Sequence, residues 1–287
     1  MNLLQVIVLA IVQGFAELLP VSSSAHVVVA EKLMGLDPSS PDMTLLLVML
    51  HTGTMFAVIA YFWSSWKATY FSSRPMFQRF LLRLIWATIL TGIVGEILKK
   101  VIEKTLFRGA QKAEIELLFS RLDLIAPALA AAGLLILIAG LIAKQRSKDA
   151  DDAESLSFVQ AAWMGIVQGL ALPFRGFSRS GATISIGMLV GAARERAERF
   201  SFALAVVLTP AVVGLEALRL EKSAGPAHID LKASILSSLL GMIFSFFAGL
   251  LALRWLSSWL ESGRWYLFGI YCLVASAIVW YLHARGL

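Results

Sequence analysis

The 287-residue sequence contains one cysteine, Cys272, so neither an internal disulfide framework nor a cysteine-built zinc site is encoded. Its four histidines form no His-Glu-x-x-His pattern and no Gly-Lys dipeptide occurs, which excludes a zincin-type hydrolase and a P-loop. Charge is scarce. Only 15% of residues are Asp, Glu, Lys or Arg, against about 25% in average soluble domains. What is abundant is apolar surface: 58% of residues are hydrophobic, which excludes disorder and argues for a polytopic membrane protein. The net charge of +6 fits membrane-flanking loops and an anionic substrate, with no nucleic-acid surface implied.

A span needs about 20 apolar residues to cover a hydrocarbon core of about 30 Å. Uncharged windows run over 43–66, 124–143, 155–174, 233–253 and 265–282, with shorter ones at 84–95, 180–193 and 200–215. Residues 1–30 are apolar apart from Glu17 and His26, and Pro20 with a serine run splits them in two. This predicts an all-α chain of about ten helical segments, several too short to span alone. The period-2 alternation of a membrane barrel is absent. The first basic residue is Lys32, so the N-terminal stretch lacks the charged n-region of a cleavable signal peptide and is expected to belong to the fold.

Charge collects between the windows. Lys67, Arg74, Arg79 and Arg83 form a basic stretch, the best cytoplasmic loop in the sequence, and Arg194–Arg199 reads as a charged turn. Residues 144–154 carry both signs and read as a solvated linker between halves 1–143 and 155–287.

The halves repeat. Ile11-Val12-Gln13-Gly14 recurs as Ile166-Val167-Gln168-Gly169, an offset of 155 (166 − 11), and at that offset Ser23 lies over Ser178 and Ser24 over Arg179. Each copy is an apolar helix, a proline-containing break (Pro20; Pro173), a serine-rich turn and a second short apolar helix. Interrupted hydrophobic segments at matching positions of two halves point to an inverted-topology repeat with a midplane site. Irregular backbone at that depth must be buried or line a wet cavity, so both breaks are expected to face one cavity.

In the first break, Gln13 and Glu17 share a helix face. Pro20 ends that helix nearby. Ser22, Ser23 and Ser24 then stand where an N-cap belongs, with hydroxyls and free N–H groups turned to the break, and His26 follows on their side of the second helix. A plain serine cap with a core histidine would explain the serines alone. It does not explain Glu17, because an intramembrane carboxylate costs about 2.5–3.5 kcal/mol on insertion scales. Burial there favours its protonated form. In the second break, Gly176 and Gly181 flank Ser178-Arg179-Ser180, and Arg175 lies just upstream. A helix N-terminus among small residues offers N–H groups to an anion, and Arg179 adds a bidentate donor. Together the breaks suit a phosphate or diphosphate on an apolar tail, pointing to hydrolysis of a phosphoanhydride on a polyprenyl carrier.

These motifs resemble those of the bacitracin-resistance type undecaprenyl-diphosphate phosphatases. That family carries (Glu/Gln)-x-x-x-Glu, then Pro-Val-Ser-Ser-x-x-His, and later Pro-Gly-x-Ser-Arg-Ser-Gly-x-Thr. Here they stand as Gln13–Glu17, Pro20–His26 and Gly176–Thr183, and the likeness extends over nearly the whole chain. The resemblance implies an inverted repeat with two re-entrant helix hairpins. It implies removal of one phosphate from undecaprenyl diphosphate at the outer, periplasmic face of the bacterial inner membrane, which recycles the cell-wall lipid carrier and confers bacitracin resistance. Glu17, Ser23, His26 and Arg179 match the family's proposed catalytic set, and Gln13, Ser22, Ser178, Ser180 and Thr183 its polar pocket. The sequence departs in having Ser24-Ala25 where many members have Thr-Gly, Gln13 where the first Glu is common, and Arg175 where proline commonly precedes the glycine.

The expected mechanism docks the diphosphate between the two helix N-termini, with Arg179 and backbone N–H groups stabilising the transferring phosphoryl group. Ser23 is the expected nucleophile with His26 as its base, direct attack by water being the alternative. Glu17 orients His26, shuttles a proton, or holds a Mg²⁺ or Ca²⁺ ion together with the diphosphate; no organic cofactor is expected. The expected partners are the polyprenyl diphosphate and membrane lipids, and a homodimer is compatible with the sequence. A polyprenyl-phosphate flippase or secondary transporter is the rival reading, since broken helices in a repeat suit alternating access equally. The other lipid phosphatase superfamily is excluded, because its histidine and aspartate positions after Ser178-Arg179 hold Ser185 and Leu189.

Overall fold

The computed structural model describes residues 1–38, 40–106, 118, 120–145, 156–223, 231–261 and 264–287. The linker expected at 144–154 lies almost wholly outside the described residues. Ten α-helices are described: α1 (Leu3–Leu18), α2 (Ser23–Leu33), α3 (Pro41–Tyr70), α4 (Arg74–Leu106), α5 (Leu122–Gln145), α6 (Phe158–Ala171), α7 (Arg179–Leu189), α8 (Arg194–Ser223), α9 (Leu231–Glu261) and α10 (Tyr266–Ala284). Helices α3, α4, α5, α8, α9 and α10 are long and apolar enough to cross a membrane, and large apolar side chains such as Ile85, Ile89, Ile93, Val274 and Ile278 are exposed along them. Such a surface suits lipid and not water. The chain is an all-α, multi-pass membrane protein.

Two readings of the charge pattern are corrected. Arg74, Arg79 and Arg83 lie inside α4, and Lys67 lies in the last turn of α3, so the connecting loop is only 71–73. Arg194–Arg199 opens α8 and is no turn. Charged residues end a hydropathy window without ending a helix, because Arg, Lys and Glu are good helix formers.

Both short first helices begin with the same device. Asn2 caps α1 and exchanges hydrogen bonds with Gln5, and Ser157 caps α6 and exchanges them with Gln160. These capping boxes satisfy two orphan N–H groups apiece. They stand 155 residues apart, the offset of the repeated tetrapeptide.

The packing crosses between the two sets of five helices. Helix α1 packs on α9 while α6 packs on α4, and α3 meets α8 as α5 meets α10. The glycine of the repeated tetrapeptide makes the first two crossings possible. A Cβ on Gly14 would stand 2.5 Å from that of Ala248 and 2.9 Å from the Ser245 carbonyl oxygen, and one on Gly169 would stand 2.8 Å from the Thr91 carbonyl oxygen and from Val94 Cβ. Small residues let membrane helices approach this closely, where no hydrophobic drive separates protein from lipid. Gln13 and Gln168, one position earlier, are fully buried.

Candidate active site

The site forms where the two helix breaks meet. Leu19 is extended ahead of Pro20, so α1 stops at Leu18. The chain turns sharply through Ser22, whose φ of 68° makes it the one described non-glycine residue with positive φ. Serine rarely adopts this conformation, and such outliers cluster at functional sites. In the second break, Gly176 takes a φ of 102°, and the Ser178 hydroxyl caps α7 by accepting from the Gly181 N–H at 3.2 Å. The Gly176 N–H donates to Ser24 Oγ at 3.3 Å, and Ser180 Oγ donates to the Leu19 carbonyl at 3.4 Å. Helix α10 closes on the same turn, the Cys272 thiol donating to the Pro20 carbonyl at 3.5 Å.

Glu17 is the centre of charge. Its Oε1 receives Arg179 Nη2 at 2.5 Å. Its Oε2 receives Ser23 Oγ at 2.5 Å and Gln13 Nε2 at 3.2 Å, with His51 Nε2 of α3 at 3.7 Å. Each of the hydrogen bonds to it comes from a donor and one donor is a guanidinium, so Glu17 is the carboxylate of an ion pair. This corrects the protonated form expected from burial: the apolar sequence around Glu17 concealed a cation 162 residues away. The pair is held partly out of solvent, its side chains being 14% and 20% exposed. Arg179 Nη1 and Gln13 Oε1 are buried without a hydrogen-bond partner among the described residues, leaving one arm of the guanidinium fork unused.

His26 is fixed at both ring nitrogens. Nδ1 lies 2.7 Å from the Ser22 carbonyl and Nε2 lies 2.7 Å from the hydroxyl of Tyr271 on α10. A carbonyl only accepts, so Nδ1 carries the proton and Nε2 is the nitrogen available for chemistry. Ser23 therefore bonds Glu17 in this arrangement, where pairing with His26 was expected.

The remaining expected residues divide. Ser24, Gly176 and Ser180 join the two breaks, Ser22 stays within the first with its hydroxyl 3.3 Å from that of Ser24, and Ser178 and Gly181 build the start of α7. Thr183 is turned away: it donates to the Arg179 carbonyl at 2.8 Å and meets Ser201 of α8 at 2.5 Å, fully buried. Arg175 acts electrostatically on Glu31 of α2, a fully buried carboxylate whose oxygens have no hydrogen-bond partner among the described residues. Sequence reasoning passed over Glu31 and Tyr271. Glu31 carried a usable signal as a lone acid on a short apolar helix, whereas Tyr271 sits among apolar residues 245 positions from its partner and carried none.

The donor set bears on a metal. The described residues hold no group of three His, Cys, Asp or Glu side chains that could hold a metal ion, so they build no protein cage. Glu17 supplies one carboxylate and the guanidinium beside it supplies no ligand, so a Mg²⁺ or Ca²⁺ ion fits only when diphosphate oxygens complete its shell.

A family model described as "Bacitracin resistance protein BacA" matches residues 6–278. The chain is 55% identical over 283 residues to a protein of Acinetobacter baylyi named "Undecaprenyl-diphosphatase 2", with 97% of each chain covered. It is 33% identical over 286 residues to a protein of the same name from Burkholderia ambifaria, covering 96% of this chain and 95% of that one. It is 32% identical over 297 residues to the "Undecaprenyl-diphosphatase" of Methanosphaera stadtmanae, with 97% of each covered.

Proposed function

The chain belongs to the bacitracin resistance protein BacA family, and from that premise we propose how its residues carry out the reaction. The protein is a membrane hydrolase that converts undecaprenyl diphosphate to the monophosphate and inorganic phosphate, returning the lipid carrier to cell-wall synthesis and conferring bacitracin resistance. It works in the bacterial plasma membrane with its site open to the outer face, and α1/α2 and α6/α7 form two re-entrant hairpins that bring their breaks together at the site. The observation that carries this reading is the meeting of Glu17, Ser23 and Arg179 at 2.5 Å contacts beside two helix N-termini.

The diphosphate enters against the α2 and α7 N-termini, whose backbone N–H groups and dipoles favour an anion. Arg179 keeps Nη2 on Glu17 and offers Nη1 to the terminal phosphoryl oxygens, where negative charge must be stabilised as the transfer proceeds. Ser23 Oγ attacks the terminal phosphorus, and its proton passes to Glu17 Oε2, the atom it already touches. The approaching diphosphate brings like charge to Glu17 and favours that transfer. The new Oγ–P bond forms as the bridging P–O bond breaks, and undecaprenyl phosphate leaves. Water then attacks the phosphoserine phosphorus, His26 Nε2 taking the water proton and Glu17 returning its proton to the leaving Ser23 Oγ, which gives phosphate and free Ser23. A Mg²⁺ or Ca²⁺ ion held by Glu17 and the diphosphate oxygens would supply further charge neutralisation.

Phosphate release from a polyprenyl diphosphate by purified protein in detergent tests the reading. Turnover without a bilayer is expected. Its absence, together with restored lipid movement in vesicles, would assign the site to a flippase.

A further inference from the structure

The geometry points to Tyr271 as the residue that positions His26 for the phosphatase reaction, an inference that rests on the function proposed above. Tyr271 belongs to α10, far in sequence from both breaks, and no motif contains it. Its hydroxyl meets His26 Nε2 at 2.7 Å, and the two rings stack with centroids 5.7 Å apart and planes 11° from parallel.

The chemistry follows from the two ends of the imidazole. The Ser22 carbonyl holds the proton on Nδ1, so a neutral His26 presents the lone pair of Nε2, and Tyr271 is the group that donates to it. The strained Ser22 conformation, with φ at 68°, aims that carbonyl from one side while the tyrosine holds the ring from the other. Histidines that do chemistry are aligned by a partner on the second nitrogen; here both nitrogens are held. Tyr271 itself is 47% exposed on a helix whose outer face carries Ile270, Val274 and Ile278. Its hydroxyl meets the edge of the imidazole, and the rest of the side chain is exposed beside those apolar residues. Water or a phosphoryl oxygen reaches Nε2 only by displacing or sharing the tyrosine hydroxyl. Tyr271 therefore acts through His26, fixing the direction of the ring while the Ser22 carbonyl fixes its tautomer.

Tyr271→Phe removes the hydroxyl and keeps the ring. The other titratable groups gathered here are Glu17 on α1, His51 on α3, Arg179 on α7 and Cys272 on α10, and the substitution leaves each in place. We expect kcat to fall about tenfold with KM little changed, a part of the 10²–10⁴ that an aligned acid or base supplies, and the limb of the kcat–pH profile belonging to His26 to move. Diethyl pyrocarbonate labelling, mapped to His26 by peptide mass spectrometry, should accelerate in Tyr271→Phe because Nε2 is released. A variant with wild-type kcat, a profile that is only scaled, or unchanged His26 labelling overturns the assignment while leaving the proposed function standing. A wild-type protein that releases no phosphate from polyprenyl diphosphate overturns the proposed function and this inference with it.

Discussion

Replacing Arg179 by lysine keeps the positive charge and removes the fork. In the structure one arm of the guanidinium, Nη2, holds Glu17 at 2.5 Å while Nη1 has no partner among the described residues. A lysine has a single ammonium and cannot serve the carboxylate and a phosphoryl oxygen in the same geometry. The loss is one charge-assisted hydrogen bond to the transferring group, about 1.5–3 kcal/mol. At about 1.4 kcal/mol per decade, Arg179→Lys should lower kcat about 10- to 150-fold. Arg179→Ala removes both arms and should lower it about 10³-fold or more, the scale of losing an arginine clamp in phosphoryl transfer. The two variants should also separate in stability. Lysine still answers Glu17, so its melting temperature in detergent should stay near wild type; alanine leaves the carboxylate without its cation and should melt earlier. The assay is steady-state phosphate release from a polyprenyl diphosphate, with thermal unfolding of each variant alongside. Arg179→Lys turning over within about threefold of wild type would refute the forked role, since charge alone would then suffice.

Ser23→Ala should reduce phosphate release to background while leaving the fold intact, and near-normal turnover would exclude a phosphoserine route in favour of direct water attack. Gly14→Val should lower the melting temperature and the activity together, because the added Cβ meets Ala248 and Ser245 on α9 and overpacking of this kind costs about 1–3 kcal/mol; an unchanged melt would mean that α1 yields freely. Gly169→Val, at the matching crossing of α6 on α4, should destabilise similarly but disturb the site less, since no catalytic side chain follows it on α6. Chelation of divalent ions should slow turnover without unfolding the protein, because the described residues build no metal cage; full activity in chelator would show that Arg179 and the helix N-termini neutralise the diphosphate unaided.

The helical class, the two breaks and the residues at them were legible in the sequence, each for a local reason. Pro20 disfavours helix at Leu19, a serine run marks an N-cap, and a carboxylate in an apolar stretch asks for a partner. Helix lengths were less legible. The window at 84–95 understated α4, which runs from Arg74 to Leu106, because hydropathy stops at a charge that a helix passes through. The pairing inside the site was hidden for a different reason. Whether Ser23 turns to Glu17 or to His26 depends on the Ser22 backbone, and positive φ at a serine is set by tertiary packing against the second break and α10. Propensity does not encode it. Tyr271 was invisible on the same ground, being an ordinary aromatic until α10 is laid beside α2.

The repeat explains why the chemistry had to become unequal. At the offset of 155, Glu17 corresponds to Leu172, Ser24 to Arg179 and His26 to Gly181, while Gln13 with Gln168, Gly14 with Gly169 and Ser23 with Ser178 are kept. Of the retained residues, Gly14 and Gly169 make the two helix crossings and Ser178 caps α7, while Gln13 and Ser23 turn their side chains to Glu17. That shared part brings two helix N-termini toward one anion. Repeated chemistry would fail there, since two carboxylates at this spacing would repel both each other and a diphosphate, and two arginines would bind the anion with no base to deprotonate a nucleophile. In the proposed mechanism, dividing the functions, with acid–base groups on α1 and α2 and the cation on α7, lets Arg179 neutralise Glu17 and still have an arm for the substrate. In the proposed mechanism, the asymmetry at these three positions is what turns an anion cradle into a hydrolytic site.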